Sequence, residues 1–261
     1  MEAKLSKAQV DRLGERLRRG AISEDDLRLL DTYRLWFSPP YEAVIAVLRA
    51  EGLTPTGRPA KSTTSIADKL RRESMRLTQR QDIAGARVVV PDLASQDEVV
   101  ERLAARFPQV TTFDRRKKPS HGYRAVHLVV MQDGRGIEVQ IRTSLQHLWA
   151  ELSEKVSDVI DPKLKYGGGP RMVTTILREA SRLMTDAEKA ERTTREARSR
   201  YEATVISRVE APKVRKARTQ MKRLLRKMEQ DVVDIRAELT SLLEGYDKDD
   251  RATEERLACC T

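Results

Sequence analysis

The segment Ile137-Glu138-Val139-Gln140-Ile141-Arg142 alternates apolar and polar residues. In an extended strand this puts Glu138, Gln140 and Arg142 on one face and the β-branched residues on the other. The same alternation fits an ordinary solvated sheet face. Its neighbourhood points to chemistry. Tyr123 and His127 are expected to share a face of the preceding strand, just after the basic run Arg115-Arg116-Lys117-Lys118. An aromatic ring beside cations suits a nucleotide, since a stacked base contributes ~1–3 kcal/mol and the cations answer its phosphates. Asp82 stands at the mouth of another strand, where its carboxylate can reach the face that carries Glu138. Two carboxylates completed by substrate phosphates are a common way to hold Mg²⁺, and acids set among cations suit phosphoryl transfer. Asp82 fits a capping carboxylate at a strand edge equally well.

No Walker-type loop is present. Gly57 to Ser62 lacks the second glycine, and the Gly167-Gly168-Gly169 run follows a helix, not a strand. Phosphate must then be held by side chains, with Arg58, Lys61 and Lys69 as the obvious supply. His147 and Glu151 lie one helical turn apart, a spacing open to a metal but read here as packing, with Trp149 as a core anchor.

The elements that would position these residues follow from periodicity and punctuation. Ser6 and Ser23 are expected N-caps, Glu24, Asp25 and Asp26 favour a first turn, and Pro39-Pro40 is read as a break before a helix from Tyr41 to Arg49. Leu13 and Leu17 form one apolar edge; Leu27, Leu30 and Tyr33 form another. Leu53 to Ser62 reads as a loop and Ser65 to Arg72 as a helix. Ile83 to Val90 and Val110 to Phe113 read as strands, with a helix over Gln96 to Arg106 between them. Ala125 to Met131 and Ile137 to Ile141 form a hairpin around Asp133-Gly134-Arg135-Gly136. Ser144 opens a helix to about Ile160. The resulting fold class is α+β, a mixed sheet flanked by helices. Beyond Pro170, the spacing of Val173, Ile176, Ala180, Leu183 and Ala187 is coiled-coil-like. A similar pattern from Val214 to Leu242, with Pro212 between, predicts a long helical hairpin. Three segments are expected: N-terminal helices over 1–52, a catalytic-type domain over 53–169, and a helical extension over 170–261.

The charge balance, 50 lysines and arginines against 40 acids, gives +10 and suits a phosphate-rich ligand or RNA. The two cysteines, Cys259 and Cys260, are adjacent and can neither staple a fold nor offer zinc spacing. No leader-like stretch opens the sequence and no apolar run is long enough to span a bilayer, so a cytoplasmic protein without membrane attachment is expected.

Taken in order, these segments resemble the RelA/SpoT synthetase domain from about Tyr41 to Tyr166. The likeness is carried by Gly57-Arg58 with Lys61, by Ser65-Ile66-Ala67-Asp68-Lys69-Leu70, and by Gln81-Asp82-Ile83-Ala84-Gly85-Ala86-Arg87. Two further pieces are His121-Gly122-Tyr123-Arg124-Ala125-Val126-His127 and Glu138-Val139-Gln140-Ile141-Arg142-Thr143. The resemblance implies a nucleotidyltransferase-like fold and transfer of the β,γ-pyrophosphate of ATP to a 3'-hydroxyl, with AMP leaving. It implies Mg²⁺ on Asp82 and Glu138, with Glu138 also assisting deprotonation of the attacking hydroxyl. ATP contacts fall to Arg58, Lys61, Lys69 and Arg87, and stacking on the acceptor base to Tyr123. His127 and Arg142 support the site, and Lys117 and Lys118 meet acceptor phosphate. In one departure, Pro59 and Ala60 separate Arg58 from Lys61, where the family usually has a single residue. All three histidines, His121, His127 and His147, lie inside the synthetase-like segment, so the histidine-aspartate hydrolase site of long family members is not expected.

The acceptor implied is GDP or GTP, giving (p)ppGpp. Toxin-type members that pyrophosphorylate the 3' end of tRNA are a rival, and a non-catalytic RNA-binding or scaffold protein is a third reading. DNA is not expected as a partner. Self-association or partner docking is expected of the C-terminal helices, because an uncovered apolar stripe is a liability.

Overall fold

The computed structural model describes residues 5–80, 82–205, 219–224, 226, 227, 230, 233, 234 and 237. The arm from Val214 to Leu242 falls largely outside them, as do Pro212, Cys259 and Cys260. Among the described residues no helix is long and apolar enough to cross a membrane.

The chain divides into two compact units. The first comprises Met1–Pro91, Ser95–Lys118 and Arg124–Arg142. It opens with α1 (Lys7–Arg19), α2 (Glu24–Leu35) and α3 (Ser38–Ala50). Ser6 and Ser23 cap the first two, each in a reciprocal capping box with the residue three positions on. Pro39 and Pro40 sit inside the first turn of α3 instead of breaking the chain before it. Proline is tolerated there because a first-turn N–H has no helical partner to lose. Leu13, Leu17 and Leu30 are fully buried, whereas Leu27 is 41% exposed and does not share the edge assigned to it.

The sheet is mixed and five-stranded, in the order β1 (Thr56–Arg58), β2 (Ala84–Val90), β5 (Arg135–Thr143), β4 (Val126–Gln132), β3 (Val110–Asp114). α4 (Thr63–Arg72) and α5 (Leu93–Arg106) intervene along the chain. The three-residue β1 lies within the stretch expected to be loop. It pairs antiparallel with β2, Arg58 opposite Gly85 and Thr56 opposite Arg87. The β4–β5 turn is tighter than expected: only Asp133 and Gly134 lie outside the strands, with φ of 51° and 72°. Positive φ at both positions suits the type I′ turn that matches strand twist. Leu128, Ile137, Val139 and Ile141 are fully buried on one face of the sheet, in one core with the N-terminal helices.

The second unit comprises Asp92–Ala94, Pro119–Tyr123 and the chain from Thr143 onward. Thr143 caps α6 (Ser144–Val159) through a capping box with Gln146. α7 (Arg171–Val205) packs on α6 around Leu145, Trp149, Leu177 and Met184. Its seam is only partly the one expected: Val173, Ala180 and Ala187 pack against this core, but two of the five stripe positions do not. Ile176 and Leu183 are 57% and 54% exposed, while Thr174, Leu177, Ser181, Met184 and Glu188 are buried. Ser181 donates to the Gly122 carbonyl (2.6 Å), and Trp149 Nε1 donates to the Leu177 carbonyl (2.8 Å). Glu188 accepts hydrogen bonds from Thr143 and Gln146. A polar residue with a partner occupies a buried seam at little cost, so hydrophobicity alone overlaps this seam without centring on it.

Candidate active site

Strand register places the expected site residues on one face of the first unit's sheet. His127 lies opposite Gln140 and Phe113, and Glu138 opposite Val129. Directly opposed residues share a face, so Glu138, Gln140, His127 and Phe113 project together, away from the apolar core. On the β1–β2 side Arg58 and Arg87 also share a face, as diagonal neighbours. Gly85 joins the two sides, because a Cβ on it would lie 3.0 Å from the Glu138 carbonyl oxygen and 3.6 Å from Glu138 Cβ. Gly57 is still more constrained, a Cβ there falling 2.4 Å from the Gly85 carbonyl oxygen. Gly57→Ala is therefore expected to cost ~1–3 kcal/mol of stability by overpacking, read as a lower urea midpoint. An unchanged midpoint would show that β1, and Arg58 with it, is not held against β2 as described.

A cleft of about 210 Å³ opens on this face, lined by Lys69, Glu73, Met75, Gln79, Arg80, Asp82, Phe113, Arg115, His127, Val129 and Glu138. Asp82, two residues before β2, and Glu138, on β5, thus meet in one cavity. Asp82 is buried, and its Oδ2 accepts from Lys61 Nζ (2.5 Å) and from Lys69 Nζ. Arg80 Nε stands 3.5 Å from Asp82 Oδ1. Burial alone would push the Asp82 carboxyl up; the two ammonium groups outweigh it and hold the carboxyl well below the usual range. For Glu138 burial again pushes up, but hydrogen bonds from His127 and Gln140 prevail and hold it at about 2, against a small opposing effect of the Asp82 charge. His127 Nδ1 lies 2.8 Å from Glu138 Oε1, and Gln140 Nε2 donates to Oε2 (2.9 Å). Arg142 follows in the same row, Nη2 donating to Gln140 Oε1 (2.7 Å).

Glu138 is ordinarily half-protonated near 4.5. Its stabilising contribution is therefore complete above about pH 4.5 and is lost as pH falls toward about 2. Urea midpoints between about pH 5 and pH 3 should fall more steeply for the parent than for Glu138→Gln. Parallel slopes would contradict this electrostatic account.

Three expected residues lie elsewhere. Lys117 and Lys118 are exposed and do not line the cleft. Arg116, from the same run, is engaged with Asp97 (2.6 Å) and Asp114 (2.9 Å). Tyr123 is not on a strand with His127. It precedes β4 in a tight turn, exchanging backbone hydrogen bonds with Ser120, and belongs to the second unit, half-buried against that unit's core. The turn is set by Gly122, at φ 99°. His147 and Glu151 form a 3.3 Å pair on α6, beside a buried Trp149.

Arg80 and Phe113 escaped the sequence reading, and of the basic run it is Arg115 that lines the cleft. Arg80 is only two positions before Asp82, a spacing that puts both on one side of an extended chain. Phe113, 43% exposed on an edge strand, brings an aromatic ring into the cleft itself.

Two ionised carboxylates present the hard oxygen donors that Mg²⁺ prefers. Among the described residues no cluster of three or more His, Cys, Asp and Glu could cage a metal. A Mg²⁺ ion bound by Asp82 and Glu138 would take its remaining ligands from water and from substrate phosphates, as Mg²⁺ commonly does.

Comparison with known proteins agrees with this geometry. Residues 57–157, from β1 through most of α6, match the region found in RelA / SpoT proteins. This part of the chain is similar to the region that RelA and SpoT proteins share. An uncharacterised protein of Mycobacterium tuberculosis, Rv1366, is 34% identical over 146 residues, 53% of this chain and 54% of that one. The GTP pyrophosphokinase YwaC of Bacillus subtilis is 28% identical over 47% of this chain and 64% of its own. The chain spans between about half and two thirds of the length of these curated relatives. Among solved structures, small alarmone synthetase 1 of Bacillus subtilis bound to its product pppGpp aligns with a TM-score of 0.51 at 26% identity, covering 67% of this chain and 98% of that one. Small alarmone synthetase 2 from the same organism gives 0.52 at 23% identity, covering 64% and 98%. The matched region contains every cleft residue named above, Arg80 and Phe113 included.

Proposed function

We propose that the chain is an ATP-dependent pyrophosphokinase that transfers the β,γ-pyrophosphate of ATP to the 3'-hydroxyl of GDP or GTP, releasing AMP. The observation that carries this reading is the convergence of Asp82 and Glu138 with Lys61, Lys69, Arg80 and His127 on one sheet face. The likeness to the GTP pyrophosphokinase YwaC and to small alarmone synthetase 1 bound to its product pppGpp supports it.

In this scheme the acceptor's 3'-oxygen forms a bond to the β-phosphorus of ATP as the bond from that phosphorus to the α,β-bridging oxygen breaks. AMP carries away the electron pair, and the hydroxyl proton passes to solvent water. Mg²⁺, when bound, would neutralise developing charge on the phosphoryl oxygens. Lys61 and Lys69 exchange part of their contact with Asp82 for the polyphosphate, and Arg58 and Arg87 extend the cationic surface along the sheet. A carboxylate held at about 2 is a weak proton acceptor at neutral pH. That favours Glu138 as an anionic ligand and as the group that orients the His127 imidazole. The basic run lends little to the tRNA alternative, because Arg116 is already neutralised by two aspartates.

Parallel reactions with γ-labelled ATP and either GDP, GTP or tRNA, resolved by thin-layer chromatography, test the reading. AMP and a labelled guanine nucleotide should appear together. Label on tRNA alone would transfer the assignment to that acceptor, and ADP as the sole product would overturn pyrophosphoryl transfer.

A further inference from the structure

A second pocket of about 520 Å³ lies in the first unit, lined by α1, α2, the segment Thr78–Arg80 and the β4–β5 turn. Its volume is that of a small-molecule site. Three aromatic residues, Tyr33, Trp36 and Phe37, contribute to the wall. Tyr33 and Phe37 are buried and pack edge-to-face at 5.3 Å between ring centroids, so they form a rigid floor. Trp36 is partly exposed, and the Arg135 guanidinium stands over its ring at 5.3 Å from the centroid. Lys7, Arg80 and Arg135 bring three cations to the lining, against the single carboxylate of Asp133.

Arg80 makes this more than an apolar recess. Its side chain is 4% exposed, it pairs with Glu73 (2.5 Å) and Asp82 (3.5 Å), and yet its Nη2 has no hydrogen-bond partner among the described residues. A buried guanidinium nitrogen without an acceptor is costly, and an anion in the adjoining pocket is one way to satisfy it. Arg80 and Gln79 line both this pocket and the cleft that holds Asp82 and Glu138.

We propose that this second pocket is a nucleotide-binding site separate from the cleft, taking a planar base against Trp36 and Arg135 and its phosphates at Lys7 and Arg80. Neutral apolar ligands would answer neither Lys7 and Arg135 nor the Arg80 Nη2. Inorganic phosphates alone would leave the aromatic wall unused.

Equilibrium dialysis of the full chain with labelled ADP and GDP, without divalent metal, tests the site and does not depend on turnover. The parent should show two classes of binding. Arg135→Glu should weaken one class by about tenfold or more and leave the other intact; Trp36→Leu should weaken the same class. Glu138→Gln should leave that class unaltered. The charge reversal sits beside an exposed turn, so it keeps the result readable if the Trp36 variant folds poorly. A single class, or two classes indifferent to Arg135→Glu, would overturn the proposal. Inorganic pyrophosphate should displace the nucleotide from this class only weakly; displacement as effective as that by ADP would refute the assignment of a base to the aromatic wall. If pyrophosphoryl transfer fails while this class persists, the fault lies with the catalytic reading and not with the second site.

Discussion

Glu138→Gln is expected to lower AMP production by about 10²–10³-fold while leaving the protein folded. Gln at this position keeps the length and an acceptor oxygen for His127 but removes the negative charge. A metal ligand that stabilises phosphoryl charge contributes several kcal/mol, and each ~1.4 kcal/mol is a factor of ten in rate. Glu138 is only partly buried and its partners are polar, so circular dichroism should stay close to the parent's, while neutral-pH unfolding should shift to lower urea by the contribution that the ionised carboxylate makes above about pH 4.5. Retention of most activity would remove Glu138 from the chemistry. A collapse of the fold would instead give the residue a structural role.

Asp82→Asn should produce a pair of effects with opposite signs. A single carboxylate fronts Lys61, Lys69 and Arg80. Without its charge Lys61 and Lys69 are left uncompensated while Arg80 keeps only Glu73, and the loss of charge-assisted hydrogen bonds should cost ~1.5–3 kcal/mol of stability. The same uncompensated charge should tighten binding of a metal-free ATP analogue, because the polyphosphate no longer competes with Asp82 for the lysines. Turnover should nevertheless fall by about 10²-fold or more, since one of the two metal carboxylates is gone. Isothermal titration without Mg²⁺, set beside rate measurements with it, separates these effects. Weaker metal-free binding together with slower turnover would contradict the electrostatic assignment.

Parts of this arrangement were readable from residue order alone. The alternation in β5 and the Asp133-Gly134 turn fix a hairpin by strand geometry and positive φ, and register then carries Glu138 and His127 to the same face. β1 escaped because three residues beside Gly57 and Pro59 give too little periodicity to register as a strand. Tyr123 was assigned to a strand because its aromatic character fits one, but Gly122 turns the chain first. The α7 seam is legible only in part: Val173, Ala180 and Ala187 belong to it, but its buried positions also include Ser181 and Glu188, which only tertiary partners make acceptable inside. Arg80 illustrates the same limit. An arginine near an aspartate reads as surface until the fold buries it and leaves one nitrogen unsatisfied.

Binding of Mn²⁺ in place of Mg²⁺, followed by electron paramagnetic resonance with a non-hydrolysable ATP analogue, addresses the shared carboxylate pair most directly. One tightly held ion per chain is expected in the ternary complex, weakened by Asp82→Asn and by Glu138→Gln alike. An ion bound with undiminished affinity in either variant would mean that these two side chains do not hold one metal together, and the catalytic assignment would fall.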